Sequence, residues 1–243
     1  RNVRWKCSTV VNNIAVIGNI KTKDINNQDI MKDDRIMWSK QGAHDDFTLI
    51  RSKDVSIIDS GEITNLVTYG QYVYVVKTNA VYVLDSMQNF RAVGSYSGMG
   101  SNYYGGAIST PYGVVVANEV KVVMLPDNVE LSEIIKDSYQ DTTFTNPTLS
   151  FNSKTNELRI VPQTTEAICY EFIYNFTDKA WCQRHKAADD HSNYLPAFNG
   201  GEYYIVEIGS AFALREVETG DEKDTDFATL HTKDFHFGDT SRQ

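Results

Sequence analysis

Hydrolysis of glycosidic and related bonds needs two facing carboxylates, one to protonate a leaving group and one to attack or to activate water. In a chain built of β-strands, the place for such a pair is the first, innermost strand of successive sheets. The segments suited to that role, 8–11, 62–69, 106–111, 147–151 and 194–198, hold one acid between them, Glu62. A paired-carboxylate site is therefore not expected. The histidines form two local groups, His185 with Asp189, Asp190 and His191, and His231 with Asp234 and His236. Imidazole and carboxylate can ligate metals, but neither spacing is that of a known metal motif and both groups lie in polar stretches, so they read as solvated surface. The acidic pairs Asp33–Asp34 and Asp45–Asp46 read as solvated turn residues. Cys7, Cys169 and Cys182 are an odd number without CxxC spacing, which argues against a disulfide framework and a zinc ribbon. Cys169 and Cys182 sit in apolar surroundings and read as small buried hydrophobes, and a reducing compartment at assembly fits. The GxSxG, GxGxxG and GxxxxGK(S/T) signatures are missing, and Gly98-Met99-Gly100 reads as a loop. The sequence thus predicts no catalytic, cofactor-binding or metal residues, no cofactor, and no enzyme.

The elements that carry these residues are strands. Runs of about 5 to 8 residues rich in Val, Ile, Tyr and Phe recur along the whole chain, punctuated by Gly, Asn and Pro. Helical periodicity is confined to 128–136, where Val129, Leu131, Ile134 and Ile135 could share one face of a short helix, an irregular edge strand being equally possible. With 41% hydrophobic residues in 243, the chain can bury a sizeable core. A hairpin of similar wording repeats: 63–69 with 72–76 and 80–84, then 106–112 with 114–117 and 121–125, and so on. From Gly70 onward its turns fall about 42 to 45 residues apart, the interval of β-propeller blades. The sequence predicts an all-β chain, 1–243, forming a single β-propeller of about five blades, with stacked β-sandwiches as the alternative. Blades stack because one twisted sheet cannot bury both of its faces alone. The first unit is stretched to about 58 residues, and its polar excursion, 21–32, reads as a solvated loop between strands. The excursions 183–193 and 219–226 read the same way. The stripe Tyr69, Tyr72, Tyr74 and Tyr82 reads as packing between sheets.

Charge bounds the partners. With 32 acidic and 23 basic side chains the formal charge is −9, and no dense basic cluster exists to release counterions from a phosphate backbone. Sequence-specific nucleic-acid binding is not expected. Nor is a membrane span, since no apolar run reaches about 18 residues.

The wording of particular segments resembles structural proteins of tailed phages. The stretch resembling them runs through Val11-Asn12-Asn13, Asp34-Arg35-Ile36-Met37-Trp38-Ser39, His44-Asp45-Asp46-Phe47, Gly61-Glu62-Ile63-Thr64-Asn65-Leu66 and Tyr82-Val83-Leu84. Ile173 to Trp181 and Thr232 to Gly238 are similar to later landmarks of the same proteins. The group is the tail nozzle, muzzle or tail-closing stabilisation proteins of short-tailed phages, crAss-like phages among them. The resemblance implies a propeller-bearing subunit, repeated in a homo-oligomeric, hexameric ring at the end of the virion's tail. Its partners would be other tail and portal-proximal proteins, and it would help hold and conduct DNA during ejection after assembly in the host cytoplasm. Those proteins are longer, and a chain beginning at Arg1 rather than Met reads as a fragment of one. An acidic lining would repel a passing polyanion, which suits a conduit. Two readings stand beside it: a Kelch-like or WD-like protein-interaction propeller, echoed by Asn199-Gly200-Gly201-Glu202-Tyr203, and a glycan-binding or glycan-cleaving propeller centred on Glu62.

Overall fold

The computed structural model describes residues 3–23, 26–56, 61–141, 145–163, 168–187, 195–198, 202–208, 211–216 and 228–232. The chain is all-β among these residues, apart from one short α-helix and two 3-10 turns, and every strand pairing is antiparallel. Two compact units divide it: 1–118 with 122–130, and 119–121 with 131–243.

The first unit holds three four-stranded meanders, each in sequence order. The first sheet is β1 (Arg4–Val11), β2 (Ile14–Lys23), β3 (Asp29–Lys40) and β4 (Ala43–Asp54). The second is β5 (Ile63–Tyr69), β6 (Tyr72–Lys77), β7 (Ala80–Asp85) and β8 (Arg91–Ser97). The third is β9 (Ala107–Thr110), β10 (Gly113–Ala117), β11 (Val122–Leu125) and β12 (Val129–Glu130). Turn chemistry sets the first register: Asn12 and Asn13 both have positive φ, 47° and 61°, as a two-residue hairpin turn requires, so Val11 meets Ile14.

Strand periodicity decides the packing. On the second sheet Leu66, Val73, Val75 and Leu84 join Val16, Ile36 and Trp38 of the first sheet in one core. Their neighbours Val67, Tyr74, Val76, Val81 and Val83 point the other way, into a core shared with Val114, Val116, Val123 and Leu125 of the third. Alternation by two thus gives the second sheet two buried faces, which is why its strands read as continuous apolar runs. The first strands adjoin: β5 lies against β1 and against β9.

In the second unit a 3-10 turn, Leu131–Ile135, leads into α1 (Lys136–Asp141). Strands β13 (Thr145–Asn152), β14 (Glu157–Gln163), β15 (Ile168–Asn175) and β16 (Ala180–Ala187) form a meander, and β17 (Leu195–Phe198), β18 (Glu202–Ile208) and β19 (Ala211–Glu216) another. The last strand, β20 (Ala228–Thr232), returns to pair with β16, so the fourth sheet has five strands and the fifth three. Trp181 is fully buried and its indole N–H donates to the Leu131 carbonyl at 2.8 Å.

Two of the expected loops need correction, and one of them, 183–193, is strand β16 as far as Ala187. The excursion 21–32 is not a loop: β2 and β3 continue through it as a hairpin arm, with Lys21 opposite Met31 and Lys23 opposite Asp29. Exposed on its surface, such an arm has no apolar alternation to announce it. The stretch 128–136, open to a short helix or an irregular edge strand, holds both: Val129–Glu130 is a strand, Leu131–Ile135 a 3-10 turn, and of the apolar four only Leu131 and Ile135 are buried.

Candidate functional site

Glu62 stands immediately before β5, at the end of the adjoining first strands where Lys6 of β1 and the loop residue Tyr104 also lie. The Lys6 ammonium donates to the Glu62 carboxylate at 2.8 Å and to the Tyr104 hydroxyl at 2.7 Å, and sits 5.2 Å from the Tyr104 ring centre. Asn19 of β2 donates from Nδ2 to the same carboxylate oxygen at 2.7 Å and to the Ile63 carbonyl at 3.0 Å. Asn19 can reach both because it occupies a bulge with φ of 56°, a conformation asparagine tolerates, and its side chain is turned inward and buried. One carboxylate therefore joins two strands of the first sheet, the start of the second sheet and the loop that leads to the third.

Burial pulls the Glu62 carboxyl upward, but hydrogen bonds from Lys6 and Asn19 outweigh it and hold the group below its ordinary value. The lysine is pushed well above its own ordinary value, first by its hydrogen bonds to Glu62 and Tyr104. A carboxylate held ionised and hydrogen-bonded to an ammonium is poorly suited to giving a proton to a leaving group. Cys7, half-buried against Gly18 in the first sheet, has its thiol pushed up to about 12 by burial and by the Glu62 charge, which makes it a poor nucleophile.

A second charged group lies between the first and second sheets. Lys77, at the end of β6, is fully buried, and its ammonium meets the Asp34 carboxylate of β3 at 2.8 Å and lies 5.8 Å from the centre of the Tyr82 ring. Asp34 also accepts from the Ser56 backbone N–H at 3.0 Å. Its carboxyl lies above the ordinary value because burial outweighs the help from Lys77 and Ser56. Asp34 is thus a partner of a buried cation, not a solvated turn residue. Asp33 is exposed within β3, and Asp45 and Asp46 are exposed within β4.

Lys77 is the residue that sequence reasoning missed. Its signal was a charge closing the apolar run Tyr72 to Lys77, where alternation would place a buried side chain. Tyr69, Tyr72 and Tyr74 pack against the second–third core and Tyr82 against the first–second, as the stripe implied. Cys182 is half-buried. The side chains of Cys169, His185 and His231 lie outside the described residues, as do Asp189, Asp190, His191, Asp234, His236 and the segment 199–201. Among the described residues no group of three His, Cys, Asp or Glu side chains could hold a metal, and no helix is long and apolar enough to cross a membrane.

No protein-family model matches the sequence, and no curated protein does. Solved structures resemble it in fold. The extracellular domain of the hybrid two-component system BT4673 from B. thetaiotaomicron matches 95% of this chain with a TM-score of 0.54 and 12% identity. A chain of the mitotic checkpoint complex matches over 89% of this chain and 78% of its own, with a TM-score of 0.47 and 8% identity. The N-terminal domain of Nup159 matches over 88% and 61%, with a TM-score of 0.40 and 11% identity. This chain spans 28% of the two-component protein's length, and at such identities the likeness concerns the fold alone.

Proposed function

We propose that this chain is a non-enzymatic structural protein of a phage virion, a β-propeller of about five blades from the nozzle or muzzle of a short tail. The carrying observation is the fate of Glu62. The one acid on the inner-strand segments is spent on Lys6, Asn19 and Tyr104, joining the first sheet, the start of the second and the loop before the third, so the position that would serve a hydrolase serves cohesion here. The second sheet, buried on both faces by its neighbours, favours blades over a two-layer sandwich, in which each sheet buries one face. The phage assignment rests on the motif string from Val11 to Leu84. On this reading copies of the protein form a hexameric ring with other tail proteins, close the tail tube, and conduct DNA without reading it.

Electron microscopy of the parent particle, labelled with an antibody to this chain, tests the proposal. Label on a ring of blade-shaped density at the tail tip is the expected result. Its absence from the particle, with the purified protein a lone monomer, overturns the tail role. Turnover of a glycan panel that Glu62→Gln abolishes would overturn the non-enzymatic reading.

A further inference from the structure

We propose that two copies of this protein dock head to tail through the first sheet, the β2–β3 arm of one copy seating against a projection of β4 on the next. The arm is a two-stranded ribbon: beyond Lys21, β2 and β3 pair only with each other, since β1 begins at Arg4, opposite Lys21, and β4 ends at Asp54, opposite Arg35. Two strands standing alone in water are marginally stable, and they gain when something covers them. Trp5 at the arm's base and Ile30 and Met31 on its length are exposed. The projection lies at the outer edge of the same sheet. Between the pairs Met37–Ser52 and Ser39–Phe47, the single residue Trp38 of β3 is faced by four of β4, Thr48 to Arg51. Arg51 fixes this detour by donating to the Asp46 carbonyl at 2.9 Å and meeting the Asp46 carboxylate at 3.0 Å, and the Ser52 hydroxyl donates to the Leu49 carbonyl at 2.7 Å. The tip so held presents Leu49 and Ile50 to solvent, the isoleucine 93% exposed.

Charge selects the occupant. Residues 1–23 hold five basic side chains and no acidic one, which leaves 18 basic against 32 acidic in the rest of the chain, a net −14. Lys6 and Lys21 are taken by Glu62 and Asp29 at 2.8 and 2.7 Å. Arg4, Lys23 and Lys32 are exposed and form no ion pair among the described residues. Of the acids of β3, Asp29 meets Lys21 and Asp34 meets Lys77, which leaves Asp33. The projection supplies the opposite sign, since Asp45 and Asp46 are exposed just before it. An apolar tip with acids beside it fits an apolar arm with cations beside it, whereas an anionic lipid surface would be repelled by those acids. A nucleic-acid backbone suits the arm poorly, because its phosphates would be brought against a chain of net −9. Within one copy the two features cannot meet: Trp38, opposite the tip, lies seven residues along β3 from Met31, about 20 Å in an extended strand, and the arm runs away from it. The contact therefore joins unlike surfaces of two copies, the kind that closes into a ring when the rotation permits. The ring itself rests on the function proposed above; the contact rests on the arm and the tip.

Sedimentation of the intact protein from about 1 to 100 µM, with two variants beside it, is the test. Ile50→Asp changes an exposed side chain, and Arg4→Glu with Lys23→Glu reverses two exposed charges, so both variants should keep the parent's melting temperature, which separates lost association from lost folding. The parent is expected to assemble beyond a dimer, and each variant to associate at least about tenfold more weakly. An equal mixture of the two variants should stop at dimers, because one keeps its arm and the other its tip. A parent that stays monomeric over the whole range, a variant that associates as the parent does, or a mixture that builds larger assemblies would each overturn the contact. Rings at the tail tip that both variants still form would sink the contact and leave the tail role standing. A parent that associates as expected yet is absent from the particle would do the reverse. Retention of duplex DNA by the parent, lost in the arm variant, would overturn the contact in favour of a polyanion.

Discussion

Glu62 and Asp34 are both carboxylates beside a lysine, yet their surroundings move them in opposite directions, and the difference is measurable. Glu62 lies below its ordinary 4.5, so what it contributes to stability is fully present above that pH and is lost as pH falls through its folded value. Asp34 lies above its ordinary 3.8, so its contribution is present below that pH and is lost as pH rises through its folded value. Denaturation followed from pH 3 to 6 should therefore show Glu62→Gln flattening a rising slope and Asp34→Asn flattening a falling one. At neutral pH Glu62→Gln should cost no more than about 1 kcal/mol, since Lys6 and Glu62 are 44% and 36% exposed and water screens the pair. Asp34→Asn keeps the shape of the neutral carboxyl that the folded state favours, so at neutral pH it too should cost no more than about 1 kcal/mol, and urea titration of both variants checks it.

At the scale of elements, the turns that set register were legible and the joints between sheets were not. Asn12–Asn13 announces a hairpin because few other residues accept two successive positive φ values, and Asn13→Val should lower stability by about 1 kcal/mol in thermal melts. Continuous apolar runs such as Val73 to Val76 announce a sheet covered on both sides. The cluster of Glu62, Lys6, Asn19 and Tyr104 was invisible because Lys6 and Tyr104 are 98 residues apart and local pattern carries no information at that range. The arm of β2 and β3 was invisible for another reason: two strands projecting into water need no buried face, so their polar residues look like a loop. Gly100 had read as part of a loop, and the structure adds why it is glycine: a Cβ there would collide with the backbone of Lys77, Thr78 and Ala80. Gly100→Ala should therefore lower the melting temperature by several degrees, reporting a loss of about 2 kcal/mol. In the second unit, Trp181→Phe keeps most of the ring but leaves the Leu131 carbonyl without its donor, for an expected loss of about 1 to 2 kcal/mol in the same assay.

For the molecule as a whole, the all-β class was legible because helical periodicity is nearly absent and strand signals recur throughout. The division into two compact units was not, since no change of composition marks it. Net charge carries its own prediction: with −9 overall, the protein should not retain duplex DNA in a gel-shift assay at about 150 mM salt, where phosphate binders without many cationic contacts lose affinity steeply. Finally, the pairing of β20 with β16 places the whole of β17–β19 between two neighbouring strands of one sheet. During synthesis the fourth sheet must then wait, its outer edge open, until the last described residues leave the ribosome. A stop after Glu216 would injure the sheet made earlier and leave the later one with all three of its strands.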